Sequence, residues 1–145
     1  KFTYLENLRM TKQEVKDERK DLEGNPLIKQ RIRSVQMEMT RRRMMSAVPE
    51  ADVVITNPTH FSIAIKYDME NDAAPVVVAK GQNEIAFRIR EIAKENNIPL
   101  VEDKPLARTL YKNVDVGQLV PASLYKAVAE ILAYVYKLKR KTSNI

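Results

Sequence analysis

The chain has no cysteine and a single histidine, His60, among its 145 residues. Without thiols there is no disulfide and no thiolate metal site, and the composition suits a reducing compartment. One histidine cannot build a histidine-rich metal centre, so neither metal nor cofactor is expected. Long apolar runs are missing too. The strongest candidate, Ala127 to Tyr136, carries Glu130 and falls well short of the ~20 residues that span a bilayer. No signal peptide is read at the start. A first residue of lysine instead of methionine reads as part of something longer. There is no glycine-rich phosphate loop and no helix-turn-helix signature. Aromatic residues do not interleave with the basic ones, so a stacking platform for nucleic acid is absent. The acid pairs Glu70/Asp72 and Glu102/Asp103 have nothing beside them to complete a carboxylate site, and read as solvated loop acids. No small-molecule substrate suggests itself.

What is present is a hydrophobic fraction of 44%, enough for a real core, and a net charge of +6. This length suits one domain, or one domain plus an extension. The charge is uneven. Residues 1–50 hold 12 basic and 8 acidic side chains, residues 51–95 hold 5 and 7, and residues 96–145 hold 8 and 4. Basic ends around a mildly acidic middle are compatible with nucleic acid, an anionic membrane surface or acidic proteins.

Helical signals come first. Thr11 to Glu14 fits a capping box. The residues before Gly24 are mostly charged, and residues 1–26 read as a mobile helical linker. Asn25 caps a second helix with Pro26 at its first position. That helix carries Ile28, Ile32, Val35 and Met39 at helical spacing, a stripe for burial, and the cluster Arg41-Arg42-Arg43. Strands are expected at Val53–Ile55, Phe61–Tyr67, Val76–Val78 and Ile98–Val101, with Gly81 ending the third. A helix carrying Ile85, Ile89, Ile92 and Ala93 stops at Asn96-Asn97. Strand, helix and strand within so few residues suggest a parallel βαβ unit. Pro105 to Tyr111 is a short helix. The last helix starts at Pro121, has the stripe Leu124, Val128, Ile131, Val135 and Leu138, and ends in Lys139-Arg140-Lys141. The reading is an α/β fold: a small mixed sheet of about four strands flanked by about four helices, behind a long helical linker. The domain spans 27–141, and residues 142–145 are a frayed tail.

The chemistry lies in Asn57-Pro58-Thr59-His60. At most asparagines the following backbone nitrogen attacks the side-chain carbonyl. Proline has no N–H, so at Pro58 that route is closed. The reverse route stays open. The Asn57 side-chain nitrogen attacks its own backbone carbonyl, closes a five-membered imide and expels the Pro58 nitrogen, cutting the chain. This needs near-attack geometry, donors for the oxyanion and a proton for the leaving nitrogen. Thr59 and His60 lie close enough to serve, with His60 polarising the amide or protonating the amine. An Asn-Pro dipeptide alone is weak evidence, since both are turn residues. Asn25-Pro26 is the control, and reads only as a cap. Singly, His60 is a turn residue leading into a strand and Thr59 a β-former. They inform only as a set of four.

That set resembles the signature of the export-switch proteins of bacterial type III secretion, the FlhB/YscU family. Further resemblance lies in Ala51-Asp52-Val53-Val54-Ile55-Thr56, Val78-Ala79-Lys80-Gly81, Ile89-Arg90-Glu91-Ile92-Ala93 with Glu95-Asn96-Asn97 and Pro99, Pro105-Leu106-Ala107-Arg108 with Leu110-Tyr111, and Gly117-Gln118 with Pro121. The Arg41-Arg42-Arg43-Met44-Met45 stretch resembles the flagellar branch. The resemblance implies a domain on the cytoplasmic side of the bacterial inner membrane, with Lys1 just after the last membrane helix of an integral membrane protein. It implies self-cleavage between Asn57 and Pro58, with the two pieces staying associated. It further implies a switch of export substrates from rod and hook to filament subunits. The implied partners are those substrates, the hook-length control protein, the export gate and soluble export components. A second reading stays open from the residues alone: a non-cleaving basic module that docks on anionic membrane or nucleic acid, with Asn57-Pro58 an ordinary turn.

Overall fold

The computed structural model describes residues 25–58 and 60–143. Residues 1–24 of the expected linker, Thr59, and residues 144 and 145 of the expected tail lie outside the described residues. By its internal contacts the chain forms two units, and of the described residues 25–41 fall in one and 42–143 in the other.

Helix α1 runs Pro26–Ala47. Asn25 caps it as its chemistry requires: Asn25 Oδ1 accepts from the Leu27 N–H at 2.9 Å, and its carbonyl accepts from the Lys29 N–H at 3.1 Å. The stripe expected to be buried is not. Ile32, Val35 and Met39 are 52%, 51% and 57% exposed. The spacing is helical, but the stripe is narrow, and Leu27 and Met37 lie off it. The apolar residues therefore form no single wide face.

In the second unit, α1 ends with the buried Met44 and passes into a 3₁₀ turn, Val48–Glu50. Then follow β1 (Val53–Asn57), β2 (Phe61–Lys66), β3 (Val76–Gln82), α2 (Asn83–Glu95), β4 (Leu100–Glu102), α3 (Lys104–Asn113) and α4 (Ala122–Ser143). The sheet has the order β3-β2-β1-β4. β2 is antiparallel to both its neighbours and β4 is parallel to β1. Among the described residues, four strands in a mixed sheet and four helices, the first of them long, agree with the expected fold class.

The βαβ expectation is half right. β3 and β4 do run the same way, but they are the two edges of the sheet, so α2 crosses over both strands of the β1–β2 hairpin. Local sequence sets strand direction but not which strands become neighbours. β1 alternates between two cores. Val53 and Ile55 pack with Leu106, Leu110, Val128, Leu132 and Val135 of α3 and α4. Val54 packs with Val48, Ile89, Ile92 and Ala93 on the opposite face. Helices on both faces explain why β1 is apolar throughout instead of alternating.

Three local readings are corrected. Gly81 lies inside β3 instead of ending it. Its role is close approach: a Cβ there would sit 2.2 Å from Ile85 Cγ2. The last strand starts at Leu100. Ile98 stays outside it because its N–H is taken by the Ala93 carbonyl at 2.8 Å, closing the end of α2. In α4, Leu138 is 42% exposed while Leu132 is 3% exposed, so the apolar face is shifted by part of a turn from the stripe read in sequence. Asp103 also has a structural task, since its Oδ1 accepts from the Leu106 N–H at 3.2 Å and caps α3.

Candidate functional site

Asn57 is not a loop residue. It is the last residue of β1, paired with Phe61 of β2, and 7% exposed. On its other side β1 is held by β4, where Thr56 pairs with Glu102 and the Thr56 carbonyl accepts from the Asp103 N–H at 3.0 Å. The backbone is thus fixed up to the residue whose carbonyl would be attacked. The Asn57–Pro58 peptide is trans.

From this rigid end the chain reverses in three residues. The His60 N–H donates to the Asn57 carbonyl at 2.9 Å. That bond closes a β-turn over residues 57–60 with Pro58 at the second position, where its fixed φ is favourable. The Asn57 carbonyl is the one that becomes an oxyanion if its own side chain attacks. The turn therefore places a backbone donor where negative charge would develop. Among the described residues no backbone N–H further along the turn holds the Asn57 carboxamide.

Two further contacts anchor the turn, both from α2: one from its first residue, Asn83, and one from Arg90 about two turns along it. The Asn83 N–H donates to the His60 carbonyl at 3.0 Å. Asn83 has φ 53°, a left-handed conformation that asparagine tolerates better than most residues. The Arg90 guanidinium Nη1 donates to the Pro58 carbonyl. Arg90 is half-buried and its Cζ stands 5.9 Å from the Phe87 ring centroid. The carbonyls of Asn57, Pro58 and His60 are all occupied.

Of the four residues expected to carry the chemistry, the structure brings Asn57, Pro58 and His60 into one turn. Thr59 lies outside the described residues. Pro58 and His60 are exposed, and the His60 ring tilts against Phe61 with centroids 6.2 Å apart. Phe61 in turn packs on Tyr111 at 4.7 Å. Asn83 and Arg90 were not legible as turn anchors. Arg90 belongs to a stretch that carried the family resemblance, but its 32-residue reach to Pro58 leaves no local pattern. Among the described residues no cluster of His, Asp or Glu is placed to hold a metal ion. No described helix is long and apolar enough to cross a membrane.

Comparison with known proteins bears on the family and the fold. The profile of the "FlhB HrpN YscU SpaS Family" matches residues 1–135. The chain is 55% identical over 141 residues to the flagellar biosynthetic protein FlhB of Bacillus subtilis, covering 97% of this chain and 39% of that protein. It is 53% identical over 139 residues to the FlhB of Escherichia coli, covering 96% and 36%. The chain therefore spans well under half the length of these relatives. Its fold is similar to the crystal structure of the cytoplasmic domain of FlhB from Shewanella putrefaciens, with TM-score 0.69 and 46% identity over 72% of this chain and 80% of that one. A mutated EscU C-terminal domain is similar at TM-score 0.62 and 30% identity, over 63% of this chain and 92% of that one. A strand-end asparagine, a proline-led turn and matches along nearly the whole length lead to one assignment: the chain belongs to the FlhB/YscU family of type III export proteins, on its flagellar side.

Proposed function

We propose that this chain is the self-cleaving cytoplasmic domain of a flagellar export component, and that cleavage between Asn57 and Pro58 conditions a switch in export specificity. The observation that carries the reading is the His60 N–H bonded at 2.9 Å to the carbonyl of a strand-anchored, proline-flanked asparagine. The Asn57 Nδ2 attacks the Asn57 carbonyl carbon. The electron pair moves to the carbonyl oxygen, where the His60 N–H stabilises it. As the intermediate collapses, the bond to the Pro58 nitrogen breaks. Nδ2 gives up a proton and the Pro58 nitrogen takes one, leaving a cyclic imide on residues 1–57 and a free secondary amine on Pro58. The exposed His60 ring is suited to move that proton through solvent. Thr59 is assigned a supporting role in shaping the turn.

The cut falls at the tip of a hairpin, so the sheet survives it. β1 stays between β2 and β4, and burying Val53, Val54 and Ile55 completely stabilises the pairing by about 2 kcal/mol each. What changes is confined to the turn: two new ends and a released backbone. On this reading residues 27–141 are the cleaving domain, and residues 1–26 a juxtamembrane linker on the cytoplasmic side of the inner membrane. The partners are rod, hook and filament subunits, the hook-length control protein, the export gate and soluble export components.

The test is the intact mass of the purified chain in denaturant beside Asn57→Ala. Fragments 1–57 and 58–145 in the parent, and one full-length species in the variant, are expected. A parent chain that stays whole after long incubation near neutral pH overturns the reading. It would leave the basic binding module, recognisable by salt-sensitive binding.

A further inference from the structure

We infer that Arg90 is a positioning residue for cleavage, and that it acts by holding the carbonyl of Pro58, the residue whose nitrogen leaves. The inference rests on the cleavage reading above. The Arg90 guanidinium donates to the Pro58 carbonyl. A cationic donor there ties the residue that follows the bond to be cut to α2.

The arginine is free for this task. Among the described residues it makes no ion pair with a carboxylate, whereas its neighbour Arg88 pairs with Glu91 at 3.4 Å. Phe87, 57% exposed, lies against the guanidinium and limits its swing. Asn83, Phe87 and Arg90 follow one another along the same side of α2. The helix thus offers the turn two donors, the Asn83 N–H to His60 and the Arg90 side chain to Pro58. Arg90 touches neither the nucleophile nor the scissile carbonyl. Its effect runs through Pro58, by holding the residue that carries the leaving nitrogen in place while the Asn57 side chain closes on its own carbonyl. Geometry of this kind is worth large factors, since a displacement of about 1 Å can cost roughly 100-fold in rate.

The test is a cleavage time course on freshly translated full chain, quenched into denaturant, for the parent, Asn57→Ala, Arg90→Met, Arg90→Lys and Arg88→Met. Arg90→Met is expected to slow cleavage roughly 10- to 100-fold. Arg90→Lys should recover part of the rate, because it restores a cationic donor without the planar fork. Arg88→Met should cleave like the parent. Methylguanidinium chloride should accelerate Arg90→Met and leave the parent unchanged. A rate for Arg90→Met within twofold of the parent overturns the inference. So does a slowing that neither lysine nor methylguanidinium relieves and that tracks a fall in thermal midpoint, since Arg90 would then only stabilise the fold. A parent chain that never cleaves sinks the underlying reading instead, and the Asn57→Ala lane separates the two failures.

Discussion

Asn25-Pro26 and Asn57-Pro58 are the same dipeptide in two settings. At Asn25 the side-chain oxygen is spent on the Leu27 N–H, and the carbonyl enters the first bond of a helix. The carboxamide is thereby turned forward along the chain, away from its own carbonyl carbon, and the following proline occupies the helix start that suits it. At Asn57, among the described residues, no such forward cap holds the carboxamide, and the carbonyl receives a donor from three residues on. A strand on each side holds the backbone behind it. Reactivity at an Asn-Pro bond is therefore a property of what the side-chain amide is doing and how well the carbonyl is presented, not of the dipeptide.

The comparison can be broken most decisively at the nucleophile. Asn57→Ala should abolish the two fragments, since no other atom can close the imide, while Asn25→Ala should leave them unchanged in the same mass spectra. His60→Ala is the next largest. It keeps the backbone donor but loses the ring, and a slowing of about 100-fold, or about 2.7 kcal/mol in barrier, is expected from cleavage kinetics. An unchanged rate removes the ring from the mechanism. Gly81→Val tests whether the turn depends on the corner behind it. Its side chain would collide with Ile85, and urea denaturation should show a loss of about 2 kcal/mol. Cleavage should slow with it, because α2 carries Asn83 and Arg90. Asn25→Ala should have the smallest effect, a loss of about 1 kcal/mol of helix capping, seen as reduced helical ellipticity in a chain that still cuts. If Asn25→Ala altered the cleavage rate, the two sites would not be independent.

Much of this was open to inspection in the sequence. The Asn57 set is written in four consecutive residues, and the structure brings Asn57, Pro58 and His60 of it into one turn. The stripe of α2 is also local in sequence, and Ile89, Ile92 and Ala93 are buried as periodicity implies. The failures share a cause. The stripe of α1 had the right spacing, yet spacing cannot say whether a surface exists to receive it. β3 and β4 were placed together because they are close along the chain, whereas the hairpin between them in space is one they do not encode. Arg90 carried no local sign of its partner, and only the approach of a turn from far along the chain gives it one. Gly81 was read as punctuation when it is a contact.

The place of β1 in the middle of the sheet has a consequence for folding kinetics. In the intact chain the β1–β2 pairing is a short-range hairpin, closed by a three-residue connection, and therefore among the quickest events available. After a cut at the turn, β1 belongs to one polypeptide and both of its neighbours to the other. The same structure then forms by an encounter of two molecules, and its rate depends on their concentration. A cut there would leave the sheet contacts of the folded domain in place, yet it would change the molecularity of ever making it again. A cut domain once pulled apart and diluted has no fast way back.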